Sequence, residues 1–281
     1  MTSHSRTRLA AALIVSAAIA TTGFVGAAQA RPKVNESRLM IAAQLDQYRP
    51  SSGTTAGAVK SVKRVQRALN RKSISVAVDG QYGGQTVAGF AQWQRRIGFH
   101  GRMVNGLPGY VALKKLVGNR FGISHKVIQG PRKSYQAHTL NLRTILMLQA
   151  AGHRLRANCT LTVSKGSYTG PDDSSEGTHA GGGAVDISVR PENRCGRRIK
   201  RMVRALRAVG FAAWFRNWPD NEHIHASAIS DPSMATEITF PGWLDTRDQI
   251  ASWAQGSDGL NTPGVAPMTR LPLRTWENYT G

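Results

Sequence analysis

Acidic side chains are scarce in this chain: 16 Asp and Glu stand against 37 Lys and Arg, which leaves a formal charge of +21 and a pI near 11.1. A field of that sign draws in polyanions of any kind, including nucleic acid, anionic membranes and acidic wall polymers, and says nothing about fold. The basic residues are scattered as well as clustered (60–72 and 194–207), so solvated helix faces account for many of them. Cysteine is nearly absent, with only Cys159 and Cys195. In an exported chain an even pair reads as a disulfide rather than a metal site; in a reducing compartment the same two would be unrelated buried thiols. Long apolar runs are missing after residue 30, which excludes a later membrane-spanning helix.

The one apolar run opens the chain. His4, Arg6 and Arg8 precede an alanine-rich stretch from Leu9 to Ala28 that ends in Ala28-Gln29-Ala30. This is the form of a secretory signal peptide over 1–30, cleaved after Ala30. The span is close to the ~18 residues that could cross a bilayer, but threonines and glycines dilute it and small residues sit where cleavage needs them. Export, and no stable membrane insertion once the leader is gone, are therefore expected. About 250 mature residues make room for two domains.

Residues 31–57 are polar and end in Pro50-Ser51-Ser52-Gly53-Thr54-Thr55, which reads as a leader and linker, with a short helix over 39–45. From 58 to 120 the pattern is helical. Val62, Val65, Gln66 and Leu69 keep helical spacing, Asp79-Gly80 makes a turn, and two further helices are expected over 85–97 and 110–117. The residues Val62, Gln66, Leu69, Asp79, Gly80, Gly83, Thr86, Phe90, Trp93, Gln94 and Gly98 give this stretch a pattern that resembles the three-helix peptidoglycan-binding domain. Most are of the structural kind. A connector over 121–137 follows, broken at Gly130-Pro131, and then a helix over 140–151 that carries Arg143, read as a surface residue. Further on, strands are expected at 161–163, 184–189 and 211–215, with an amphipathic helix over 197–209. The last twenty residues, rich in Pro, Thr and Gly, read as loosely ordered.

Two segments carry the chemistry. The first is Thr178-His179-Ala180-Gly181-Gly182-Gly183-Ala184-Val185-Asp186; the second is Glu222-His223-Ile224-His225. Two imidazoles and a carboxylate suit a tetrahedral zinc ion whose fourth position stays open. His179 and Asp186 are an odd number of residues apart, so on one unbroken strand they would face opposite ways; the glycine run supplies the turn that lets them meet. His223 and His225 share one strand face while Ile224 points into the core. Glu222 can join that face only if the strand begins near His223.

The pattern of His179, Gly182, Ala184 and Asp186, followed by Glu222 and the His223-Ile224-His225 pair, resembles the H-x-x-G-x-A-x-D signature of the zinc D-alanyl-D-alanine metallopeptidases, over roughly 138–260. The resemblance implies Zn2+ on His179, Asp186 and His225, Glu222 as general base and His223 as a helper of the transition state. It also implies an α+β fold, a peptidase domain with a small antiparallel sheet over 138–281. Two departures stand out: Gly177 where many members have Ser, and Val163-Ser164-Lys165-Gly166-Ser167-Tyr168 where many carry an arginine. Lys165 would be a point cation in its place, not a planar fork, and Arg143 would replace it only if it reached the site from its helix instead of lying on the surface. The Cys159–Cys195 bridge would clip the ends of two strands that this fold places near one another. Trp214, Trp218 and Trp243 are candidates for a groove, though core or loop packing accounts for such residues more often. The function expected is a monomeric, secreted zinc peptidase acting on peptidoglycan at the cell wall, with no nucleic-acid partner. The alternative is a catalytically silent wall-binding protein.

Overall fold

In a computed structural model the described residues are 31–48, 53–155, 159–170, 177–190, 195, 198–235, 262, 264–265 and 273–280. The leader expected over 1–30, and Trp243, lie outside them. Arg31–Gly281 forms one compact unit, and its fold mixes helices with small sheets, as the α+β reading requires. Among the described residues no helix is long and apolar enough to cross a membrane.

The organising element is an antiparallel sheet. Its strands are β5 (Val163–Lys165), β6 (Ala184–Ser188), β7 (Phe211–Arg216) and β8 (His223–Ala228), in the order β5-β6-β8-β7. Alternation along each strand sends Val185, Ile187, Ala213, Ile224 and Ala226 to one face. There they pack on α5 (Leu142–Leu155) and α6 (Ile199–Ala208), which bury Met147, Leu148, Met202, Val203 and Leu206. The opposite face carries Asp186, His223 and His225, and toward β7 it carries Ala212 and Trp214.

A second core, built from α1 (Glu36–Leu45), α2 (Val59–Asn70), α3 (Gly84–Arg96) and α4 (Tyr110–Val117), takes in Ala212, Trp214, Ile229 and Met234 from the sheet segment. Helices α2 to α4 follow the expected pattern. Val62, Val65 and Leu69 are fully buried, and so are Phe90 and, nearly, Trp93, whose Nε1 donates to the Ala112 carbonyl at 3.0 Å.

Several expected boundaries move. Within the expected linker of 31–57, Lys33–Asn35 is a strand, β1, and the short helix expected over 39–45 is present as α1 but starts earlier, at Glu36, capped by the Asn35 side chain, which accepts from the Arg38 N–H at 3.0 Å. Helix α1 buries Leu39, Met40, Ile41, Ala42, Ala43 and Leu45, so it is a core helix. The connector contains β2 (Gly122–Ser124), parallel to β1, and the hairpin of β3 (Arg132–Tyr135) with β4 (His138–Asn141). Helix α5 starts at Leu142 because Asn141 Oδ1 accepts from the Thr144 N–H at 2.8 Å and so fixes the N-terminus. Strand β5 falls two residues later than expected. Arg143 is not on the surface: it is buried, with Nε 2.8 Å from Glu277 Oε1. Glu277 lies on α7 (Trp276–Thr280), so part of the expected loose tail is helical and anchored. Cys159 and Cys195 are joined as a disulfide.

Candidate metal centre

Three buried side chains converge on the face of the sheet turned away from α5 and α6. Asp186 on β6 stands directly opposite His225 on β8 in the antiparallel register, so their side chains share a face. His179 arrives from a short 3-10 turn, Thr178–Ala180, that precedes β6. The glycines after it let the chain double back. Gly183 has φ +82°, and a Cβ on Gly182 would collide with Ser233 Oγ and the Tyr168 hydroxyl.

The contacts form a small triangle. His225 Nδ1 is 2.8 Å from Asp186 Oδ1, His179 Nε2 is 3.2 Å from the same oxygen, and His179 Nε2 is 3.3 Å from His225 Nδ1. A tetrahedral ion with N and O ligands at about 2.0–2.1 Å holds neighbouring ligand atoms about 3.3 Å apart, close to these edges. The three form a set able to hold a metal ion.

Proton counting points the same way. His179 Nδ1 is 2.7 Å from the Gly166 carbonyl, which can only accept, so Nδ1 carries the hydrogen and Nε2 turns a lone pair inward. His225 Nε2 lies 3.3 Å from Ser227 Oγ and 3.5 Å from Thr178 Oγ1, hydroxyls that can take its hydrogen. Burial pushes His225 down to about 3; Asp186 opposes that shift, and the charges of Arg216 and His179 add to it. Burial works to raise the Asp186 carboxyl, but the charge and hydrogen bond of His179, with the hydrogen bond of His225, outweigh it and hold the group well below the usual carboxylate range. At neutral pH Asp186 is thus a carboxylate and the His225 imidazole is neutral, so fewer protons than acceptor atoms lie between the three inward-facing groups. A cation resolves that mismatch. The backbone carbonyl behind His179 is the usual outer partner of a ligating imidazole.

Of the other expected site residues, His223 is at the rim, with Nε2 3.6 Å from Asp186 Oδ1 and Nδ1 2.8 Å from the Asn221 carbonyl. Glu222 is half-buried on the loop residue just before β8, outside the converging triangle. Arg143, paired with Glu277, is committed elsewhere. Trp214 is a core residue, fully buried with its ring 5.0 Å from the His225 ring. Trp218 meets the His223 ring edge-on at 5.4 Å.

One neighbour escaped the sequence reading. Arg216 is buried on β7 opposite His223, with its guanidinium 4.6 Å over the Trp218 ring. Its signal was present, since Trp214 and Arg216 alternate just as His223 and His225 do, but only the strand register reveals that the two pairs are cross-strand partners. Comparison with family models, curated proteins and solved structures finds no match to this chain.

Proposed function

We propose that the chain is an exported zinc peptidase that hydrolyses peptide bonds in the stem peptides of peptidoglycan, of D-Ala-D-Ala carboxypeptidase or endopeptidase type. The observation that carries this reading is the triangle of His179 Nε2, Asp186 Oδ1 and His225 Nδ1, three acceptors with too few protons between them. Those atoms would hold zinc, which when bound polarises a carbonyl and provides a nucleophile from water near neutral pH. Glu222 would take the proton of the attacking water on its carboxylate and pass it to the leaving nitrogen. The Asn221 carbonyl keeps a hydrogen on His223 Nδ1. His223 Nε2 is therefore a base when the ring is neutral, and a donor to charge growing on the scissile oxygen when it is protonated. The basic surface would hold the protein at an anionic wall.

A second reading, a catalytically silent wall-binding protein, is favoured by Arg143. Its guanidinium is tied to Glu277, so it cannot stand in for the arginine that the zinc D-alanyl-D-alanine metallopeptidases carry. Incubation with muropeptides, with and without chelator, followed by mass spectrometry, separates the two. The peptidase reading expects new termini that chelator abolishes, and Glu222→Gln should retain the metal but turn over roughly 100-fold more slowly. A fully active Glu222→Gln would pass the base role to His223. Zinc binding without any product from wall peptides would leave the silent reading standing.

A further inference from the structure

A cleft of about 420 Å³, separate from the metal centre, opens where the helical segment meets the sheet segment. That is within the usual size of a small-molecule site. The three most exposed large apolar side chains among the described residues are Met103 (55 %), Val111 (57 %) and Ile128 (55 %), and all three line it. Scattered exposed apolar residues need no explanation, but three around one concavity mark a binding surface.

Its polar lining is one-sided. Arg132 is the one charged residue in the lining, and no acid contributes to it. The Arg132 guanidinium lies 3.8 Å over the Tyr168 ring, so an aromatic face positions it and its N–H edge is left for a ligand. Across the rim, the ammonium groups of Lys126 and Lys114 stand 5.4 and 5.9 Å from the Tyr110 ring. Gln129, at the floor, is already committed to Asp231 at 2.7 Å and to Ser233.

We propose that this cleft is a second ligand site, which takes a small amphiphilic carboxylate: an apolar body seated on Met103, Val111 and Ile128, its carboxylate on Arg132. The site is independent of the peptidase reading, although its wall touches the metal centre. The Tyr168 N–H donates to the Gly181 carbonyl and the Thr169 N–H to that of His179, each at 3.0 Å.

Titration of the purified full chain with octanoate, followed by calorimetry, tests it. Saturable binding of one octanoate per chain is expected, at least tenfold tighter than 1-octanol, which has the same tail without the charge. Arg132→Gln should weaken octanoate about tenfold, and Val111→Asp, on an exposed helix position, should abolish it. Both variants should keep the parent's metal content and melting temperature, which separates a lost site from a lost fold. Binding should also persist in chelator-treated protein. The proposal is overturned by non-saturable or absent octanoate binding, by 1-octanol binding as tightly, by either substitution leaving affinity unchanged, or by binding that disappears with the metal.

Discussion

Buried polar side chains serve opposite purposes in the helical and sheet segments. In the helical segment they finish the backbone. Gln66 Nε2 reaches Asp79 Oδ1 at 2.7 Å and the Gln81 carbonyl at 2.9 Å, and its Oε1 accepts from the Gly80 N–H at 3.0 Å. Gln94 does the same for the next turn, accepting from the Gly106 N–H at 2.8 Å and donating to the Leu107 carbonyl at 3.0 Å. Around these two glutamines each amide oxygen and nitrogen meets a backbone partner. In the sheet segment His179, Asp186 and His225 point at one another, and acceptors outnumber protons. Burial of polar groups is common to both; the imbalance is what marks a site. Charge divides along the same line. Between residues 31 and 130, 17 Lys and Arg face three acids, a net of +14, and two of those acids, Glu36 and Asp46, are buried. Between 131 and 281 the count is 18 against 13, a net of +5.

The largest effect should come from the unbalanced centre. His225→Ala removes one of three candidate ligand atoms, so metal content, expected at about one ion per chain in the parent, should fall by tenfold or more in elemental analysis. Substitutions at Gln66 should leave metal content unchanged, and a Gln66 variant that loses the metal would break the contrast. Next in size is the bridge. Replacing Cys159 and Cys195 by Ser opens a loop with a sequence separation of 36 and should cost roughly 3 to 4 kcal/mol in denaturant unfolding; intact stability would show that the reduced chain is already constrained.

Glu36 sharpens the comparison from the other direction, as a buried acid with no role at the centre. Burial pushes its carboxyl up to about 8, with the Val127 N–H working against the shift and the Glu277 charge adding to it. A folded pKa above the unfolded value means that the contribution Glu36 makes to stability is fully present below pH 4.5 and is lost as pH rises through about 8. Glu36→Gln stays neutral throughout, so the two proteins should match near pH 4.5 and the variant should be the more stable above pH 8. Equal unfolding midpoints at both pH values would place Glu36 in a solvated or paired state. The smallest effect is expected at Gln66→Ala. It strands the Gly80 N–H and should cost roughly 1 to 3 kcal/mol, read from the shift in unfolding midpoint with metal still bound.

Much of the fold was legible because its signals are local. Helices α2 to α4 show amphipathic spacing between glycine turns, and the alternation of His223, Ile224 and His225 gave strand faces that the register repeats. What escaped depends on distant partners. Helix α1 was expected only over 39–45; its polar first turn is helical as well, and Glu36 there is buried against the distant Val127 N–H. The β3–β4 hairpin turns on Gln136 and Ala137, both at positive φ, without the Asn-Gly or Asp-Gly pair that usually announces such a turn. Arg143 looked like a surface residue because its partner, Glu277, is 134 positions away. At the centre the residue types were visible early, but the tautomer fixed by Gly166 and the neighbouring charge of Arg216 needed three dimensions.

The disulfide brackets the centre in a way that bears on how the protein matures. Cys159 and Cys195 enclose both His179 and Asp186, while His225 lies outside the ring they close. Before oxidation, two thiols would offer soft donors that compete with His179, Asp186 and His225 for an ion taken up at the centre, in a chain whose candidate ligand segments are not yet tethered. After oxidation those competitors are gone and two of the three candidate ligands sit in one closed loop, leaving β8 to bring the third. The expected order is oxidation first and metal second. Protein refolded with zinc while reduced should therefore carry misplaced ions that thiol oxidation releases, whereas oxidised apo-protein should load cleanly to one ion per chain.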